Sequence, residues 1–250
     1  MTPASATTLP SVLPLGLSGW LVRFADRLDD GANRAALAFR AAVEAEAWPE
    51  VVETSLALGS VYVACAPHNG DPGALDARLS ALVASRDWFA ADLPTGRRLW
   101  TIPAAFGGSA GPELAEAADL ARSSDDAAIA AFTARPLRIL TLGFAPGMPY
   151  LGMLPGVWDI PRRSGLTDRV PTGALAVAVR QVVMFPAAMP TGWRQVGRTA
   201  FRAFRPDSAT PVPLRPGDEI RFTAITHDQL AEIAATDRSG DGGAHIEDMP

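Results

Sequence analysis

The stretch GFAPGMPYLG, residues 143–152, sets three glycines and two prolines around Phe144 and Tyr150. Proline removes an amide donor and glycine adds backbone freedom, so neither a helix nor a central strand is expected here. A rigid, aromatic bend fits the composition, and on either side of it the texture of the chain differs. Downstream, the apolar runs GALAVAV (173–179), QVVMF (181–185), FRAF (201–204) and DEIRF (218–222) are interrupted every few residues by proline or glycine. That rhythm reads as an all-β barrel or sandwich.

Upstream, the period changes. WLVRF (20–24) alternates like a strand, and NRAALAFRAAVEAEA (33–47) puts Ala36, Phe39, Val43 and Ala47 on one helical face. VVETSLAL (51–58) and SVYVACA (60–66) read as a hairpin through Gly59-Ser60. A helix is expected over about 74–90, with Leu75, Leu79, Leu82 and Phe89 on one side, and RRLWTI (97–102) as a closing strand. The order βαββαβ is that of a ferredoxin-like sandwich. The expected organisation is α+β: a ferredoxin-like domain over 1–95, a β-barrel domain over 96–235, and a disordered acidic tail over 236–250. Between them, FGGSAGPEL (106–114) is a glycine-rich loop feeding a short helix with Pro112 at its first position. SSDDAAIAAFTA (123–134) is a second short helix, with Ser123 or Ser124 as its cap, and LRILTLGF (137–144) a strand.

Composition narrows the chemistry. The net charge is −5, which argues against nucleic acid as the main partner. No apolar run has the length of a membrane span and the N-terminus lacks a basic signal region, so a cytoplasmic protein is expected. All 22 basic residues are arginine. Without lysine there is no Schiff base and no P-loop, and an anion must be held by arginine forks or backbone amides. Cys65 is the single cysteine and reads as a buried hydrophobe; pairing with His68 as a nucleophile requires a base held across from it. His68, His227 and His245 are too scattered for a three-histidine metal site, so no metal is expected.

Seven further motifs accompany the opening stretch: FGGSAGPEL, IPRR (160–163), RVPTGA (169–174), RQVVMFP (180–186), PTGW (190–193), VGRTAF (196–201) and LRPGDEIRF (214–222). Together, from about Ile102 to Ile225, they resemble the family that includes the B-type subunit of bacterial 5-oxoprolinase, the kinase inhibitor KipI and the first subunit of allophanate hydrolase. The resemblance implies an N-terminal ferredoxin-like domain followed by a cyclophilin-like, carboxyltransferase-type barrel. It also implies a second cyclophilin-like subunit as partner and, with a third, lactam-utilisation protein, opening of 5-oxoproline at the expense of ATP. Relatives occur within urea carboxylase.

Beside that resemblance, the residues nominate a site. Gln181 offers a donor and an acceptor to a lactam or urea-like amide. Arg162 suits a carboxylate, phosphate or carboxyphosphate, with Arg198 as a second clamp. Glu113 is a candidate to orient water or accept a proton. Phe144, Pro146, Gly147 and Tyr150 would present rings and main-chain groups to a small planar guest. Each has a plainer competitor: Glu113 at a helix dipole, the arginines in surface ion pairs, Gln181 at a strand edge, Tyr150 and Trp193 as core.

The chain departs from its relatives at Thr133, Leu166, Thr167, Val182, Val183, Met189 and Thr191, where family histidine, arginine, hydroxyl or glycine positions are replaced. Losing such groups weakens stabilisation of developing charge. Three readings stay open at this point. One is a subunit of an ATP-dependent amidohydrolase. The second is a KipI-like regulator or structural partner with a degenerate site. The third, a biotin-dependent carboxyltransferase part, needs a separate biotin carrier, because this chain has no lysine.

Overall fold

A computed structural model of the chain describes residues 9–66 and 72–249. His68, and with it the Cys65–His68 pairing, lies outside the described residues; Cys65 itself is buried and reduced. The chain forms two compact units, Met1–Thr95 and Gly96–Pro250, each with its own core.

In the first unit, β1 (Ser11–Pro14), β2 (Gly19–Arg23), β3 (Val51–Leu56) and β4 (Ser60–Cys65) make an antiparallel sheet in the order β1-β2-β4-β3. Two helices, α1 (Asp30–Glu46) and α2 (Pro72–Ala84), accompany it. Helix α1 starts where the Asp29 carboxylate accepts from the Ala32 amide at 2.8 Å, the N-cap arrangement that satisfies an orphan donor. Ala36, Phe39 and Val43 are buried as the periodicity requires, but Ala47 is exposed and ends the helix at φ 48°. The helix expected over 74–90 stops at Ala84 and gives way to a 3-10 turn at Trp88–Ala90. Trp88 is buried and its ring meets Phe39 edge-on at 5.0 Å, closing the core.

The α+β class holds, and one element differs from the sequence expectation. The fourth strand of this sheet is β1, hairpinned onto β2, and RRLWTI is not part of it. That run begins β5 (Arg98–Phe106) of the second unit, where it pairs in parallel with β13 (Glu219–Ala224) over Glu219–Leu99 to Ala224–Ala104. Sequence adjacency favoured the nearer sheet. Asp218 explains the other outcome: it takes hydrogen bonds from the Arg98 amide, Nε and Nη2 at 3.1, 3.3 and 2.5 Å.

The second unit resolves the barrel-or-sandwich alternative in favour of a barrel. Besides β5 and β13, its wall contains β6 (Leu137–Leu142), β7 (Pro149–Gly152), β9 (Ala174–Ala178), β10 (Gln181–Met184) and β12 (Arg194–Arg198). Their order is β12-β9-β10-β7-β6-β13-β5, and β12 pairs again with β5 through Gly197–Phe106 and Arg198–Ala105, which closes seven strands. A separate hairpin, β8 (Thr167–Val170) with β11 (Met189–Thr191), lies outside that wall. Leu151, Leu175, Val177, Val182 and Met184 belong to the main core. Ala174, Ala176, Val183 and Met148 belong to a second cluster with Phe185 and Trp193. Alternation along β9 and β10 thus feeds two apolar layers, because strand side chains point to opposite faces in turn.

Three expectations change here. The end of GFAPGMPYLG forms β7, a central strand between β6 and β10, rather than a continuous bend. Pro149 is tolerated at its first residue, Gly152 packs its bare Cα against Leu140, and β6 shifts register between Ile139 and Thr141 to accommodate them. FRAF is not a strand. The segment expected to be a disordered tail contains a strand instead. It follows α5 (His227–Thr236), the helix after the short α3 (Leu114–Leu120) and α4 (Asp125–Thr133), and carries β14 (His245–Asp248), which pairs antiparallel with Arg98–Thr101 of β5. Asp237 organises the intervening turn, accepting from the amides of Ser239, Gly240 and Gly242. Among the described residues no helix is long and apolar enough to cross a membrane.

Candidate functional site

Helix α3 (Leu114–Leu120) opens at Glu113, whose side chain makes no cap hydrogen bond. Its carboxylate turns instead to the barrel wall. One oxygen accepts from Arg163 Nη1 and from Thr167 Oγ1 at 3.2 Å, and the other accepts from the Gln195 amide at 2.6 Å. Arg163 Nη1 also donates to Thr167 at 3.1 Å. Glu113 is therefore a clasp between α3, β12 and the 160–167 segment.

That segment is threaded tightly. The Val179 amide donates to Ile160 O at 2.8 Å, the Arg180 amide to Trp158 O at 3.0 Å, and the Arg163 amide to Gly192 O at 2.7 Å. Arg162 is thus carried across the β9–β10 turn towards β11, with its own side chain exposed. Its guanidinium stands over the Trp193 ring at 5.3 Å, and Trp193 meets Tyr150 edge-on at 6.1 Å. Burial pushes the Tyr150 hydroxyl above its ordinary pKa of 10.0, and the nearby Arg162 charge partly opposes that rise.

Gln181 belongs to the same wall. Val183 pairs with Tyr150 across β10 and β7, and Gln181 lies two residues before Val183, so it shares that face of the sheet. It is only 3% exposed, and its Nε2 has no hydrogen-bond partner. The turn leading to it is Val179-Arg180, with φ of 43° and 64°. A two-residue hairpin that needs positive φ at both positions is normally built from Asn-Gly, and for Val and Arg this conformation is strained.

Gln181 and Tyr150 thus share one face of the sheet, Arg162 is linked to Tyr150 through the Trp193 ring, and Glu113 fastens the neighbouring residue, Arg163. The other nominated residues lie apart. Phe144 is 86% exposed on the bend, at φ 70°, and Pro146 is exposed beside it. Gly147, at φ 72°, is needed for packing, since a Cβ there would run into the Ala203 carbonyl. Arg198 sits at the far end of β12, its Nε donating to Thr172 O at 3.3 Å. Sequence reasoning missed Arg163, Thr167 and Gln195 as partners of Glu113. A carboxylate at the start of a helix carried no signal that it would point sideways. The Val179-Arg180 turn carried none either, lacking glycine or asparagine. Among the described residues no group of three or more His, Cys, Asp or Glu side chains is placed to hold a metal.

The chain is similar to proteins of known kind. The B-type subunit of 5-oxoprolinase from Bacillus subtilis is 29% identical over 226 residues, which cover 85% of this chain and 91% of that one. Its counterpart from Escherichia coli O157:H7 is 37% identical over 125 residues, 50% of this chain and 57% of its relative. The solved urea amidolyase of K. lactis shares the fold at a TM-score of 0.74 and 18% identity, covering 96% of this chain and 17% of that one. The family described as carboxyltransferase domain, subdomain C and D, matches residues 10–214. The chain belongs to that carboxyltransferase-domain family, alongside relatives named as B-type subunits of 5-oxoprolinase.

Proposed function

We propose that the chain is a subunit of a hetero-oligomeric, ATP-dependent amidohydrolase that opens a lactam or urea-like amide together with a second cyclophilin-like subunit. The family and the 5-oxoprolinase relatives support the class. The observation that carries the site is the buried, unpartnered Nε2 of Gln181 on the face shared with Tyr150 and the Arg162–Trp193 pair. An orphaned buried donor costs about 1–3 kcal/mol, so a carbonyl that reaches it is bound favourably. A lactam presents a carbonyl and an N–H on one plane, and a carboxamide answers both. Arg162, exposed and standing over the Trp193 ring, is available to a carboxylate on the same guest. Glu113 acts as a positioning residue, fixing Arg163 and so the segment that delivers Arg162.

ATP belongs to the assembled complex in this reading. Two amides of the glycine-rich loop are committed within the fold. Gly111 packs against the Val196 backbone, the Gly107 amide donates to Val196 O at 3.1 Å, and the Gly111 amide donates to Gly107 O at 2.8 Å. The Gly107 and Gly111 amides are thus turned inward. The third component would be a lactam-utilisation protein.

The test is ATP-dependent 5-oxoproline turnover by the chain co-purified with its partner subunits. Turnover that falls at least about tenfold in Gln181→Ala and Arg162→Ala, as loss of a charge-assisted contact predicts, supports the site. Full activity in both variants overturns it. The second reading, a non-catalytic regulator, is favoured by Glu113, whose two oxygens are both occupied. Absence of turnover together with inhibition of a sensor kinase would select it.

A further inference from the structure

Arg194 is a buried arginine that the proposed site leaves without a role. It lies on β12, 7% exposed, between two residues the site already uses. On one side is Trp193, whose ring carries the Arg162 guanidinium; on the other is Gln195, whose amide donates to Glu113. Taking a guanidinium out of water is costly unless its charge and its donors are answered. Here two distant segments answer them. Arg194 Nε donates to Glu116 on α3 at 2.9 Å, and Nη1 donates to the Pro161 carbonyl at 2.6 Å.

Pro161 immediately precedes Arg162, and Arg163 follows it. The chain on either side of Arg162 is therefore held by a separate clamp: the Pro161 carbonyl by Arg194, and the Arg163 guanidinium by Glu113. Both clamps are rooted at the start of α3, where Glu113 opens the helix and Glu116 stands in its first turn. The ring beneath Arg162 is set from the same strand end, since the Trp193 amide donates to Thr191 Oγ1 at 3.0 Å. Arg162 itself is exposed. Keeping so long a side chain over a ring 5.3 Å away costs conformational entropy, and a fixed backbone on both sides reduces that cost.

Stability alone does not call for this arrangement. Replacing a buried ion pair by apolar packing of similar volume is often neutral or stabilising. What the guanidinium adds is a planar fork that reaches two acceptors on different segments at fixed angles, which neither methionine nor lysine reproduces. We propose that Arg194 is a positioning residue of the candidate site, holding the Pro161 carbonyl and the Trp193 ring in register so that the Arg162 guanidinium faces the anionic group of the guest. Glu116 holds Arg194 in turn. The role rests on the proposed function of Arg162, and Arg194 acts through Arg162 without touching the guest.

Phenolate absorbance of Tyr150 in the full chain, in a Tyr62→Phe background, tests this with neither partner nor turnover. Burial raises the Tyr150 pKa, and the Arg162 charge opposes that rise. Arg194→Met is expected to raise the pKa further by releasing Arg162, as Arg162→Ala does, and to add nothing in an Arg162→Ala background. An equal rise in both backgrounds would show Arg194 acting by its own charge, and no rise would show it acting on nothing here; either overturns the proposal. Glu116→Gln separates the two by sign. Lost merely as a charge, that carboxylate would let the Tyr150 pKa fall; lost as the support of Arg194, it makes the pKa rise, and a fall overturns the relay. Should Arg194→Met fail to fold by circular dichroism, Arg194→Lys, which keeps the charge and loses the fork, takes its place with a rise again expected. In the co-purified complex, 5-oxoproline turnover should fall about tenfold in Arg194→Met and no further when Arg162→Ala is added to it. Absence of turnover from the unaltered complex would count against the proposed function and leave the titration to decide the role of Arg194.

Discussion

Asp218 is 2% exposed and is clamped by Arg98, whose amide, Nε and Nη2 all donate to its carboxylate. Trp100 Nε1 adds a hydrogen bond at 3.3 Å and the Arg215 amide another at 3.1 Å. One carboxylate therefore joins the starts of β5 and β13, strands separated by more than a hundred residues of chain.

Removing that carboxylate leaves a guanidinium that is only 17% exposed without its counter-charge. Breaking a buried pair from one side costs about 3–5 kcal/mol. Asp218→Ala should therefore lower the unfolding free energy of the second unit by that order and its urea midpoint with it, with Arg221→Ala, exposed on β13, as a milder comparison. Equilibrium unfolding followed by tryptophan fluorescence checks this.

Tyr150 gives a titration that reports directly on Arg162. The hydroxyl pKa is raised above 10.0 by burial and lowered in part by Arg162. The folded pKa exceeds the unfolded one, so the stabilisation is complete below pH 10.0 and is lost as pH rises through the folded value. Arg162→Ala should move the folded pKa further up. Phenolate absorbance in a Tyr62→Phe background, which leaves one tyrosine, measures it.

Asp237 shifts the other way. Its lowered pKa means its contribution is present above the ordinary 3.8 and is lost as pH falls through the folded value. Acidification below pH 3.8, or Asp237→Ala at neutral pH, should loosen the turn that leads into β14. Faster hydrogen exchange at the β14 amides, with the β9 amides unchanged, is the expected readout.

Ala47 ends α1 in a left-handed conformation at φ 48° and is exposed. Glycine adopts that conformation without the Cβ penalty, so Ala47→Gly should stabilise the first unit by about 1 kcal/mol. A rise in its thermal midpoint checks the sign, which is opposite to that of glycine substitution inside the helix.

What could be read in the sequence was what depends on local pattern. Phe39 and Val43 announced a helix face, and the Pro-Gly rhythm around 173–222 announced a β-rich second half. What depends on distant partners could not be read. Arg98 joins the second unit because Asp218 waits there, and nothing within ten residues of it records that. Gln181 was nominated for its two-sided amide, but its orphaned nitrogen follows from which neighbours the closed wall supplies. Glu113 was legible as a helix-start acid, yet its partners Arg163, Thr167 and Gln195 come from two other segments.

β5 accepts neighbours on both sides: β13 along one edge, and on the other β12 at its end and β14 at its beginning. β14 therefore acts as a cover for main-chain groups of β5 that would otherwise lack a strand partner on that edge. A shortened protein ending near Thr236 would keep its seven-stranded wall yet bare a sticky strip, and would be expected to self-associate before it unfolds.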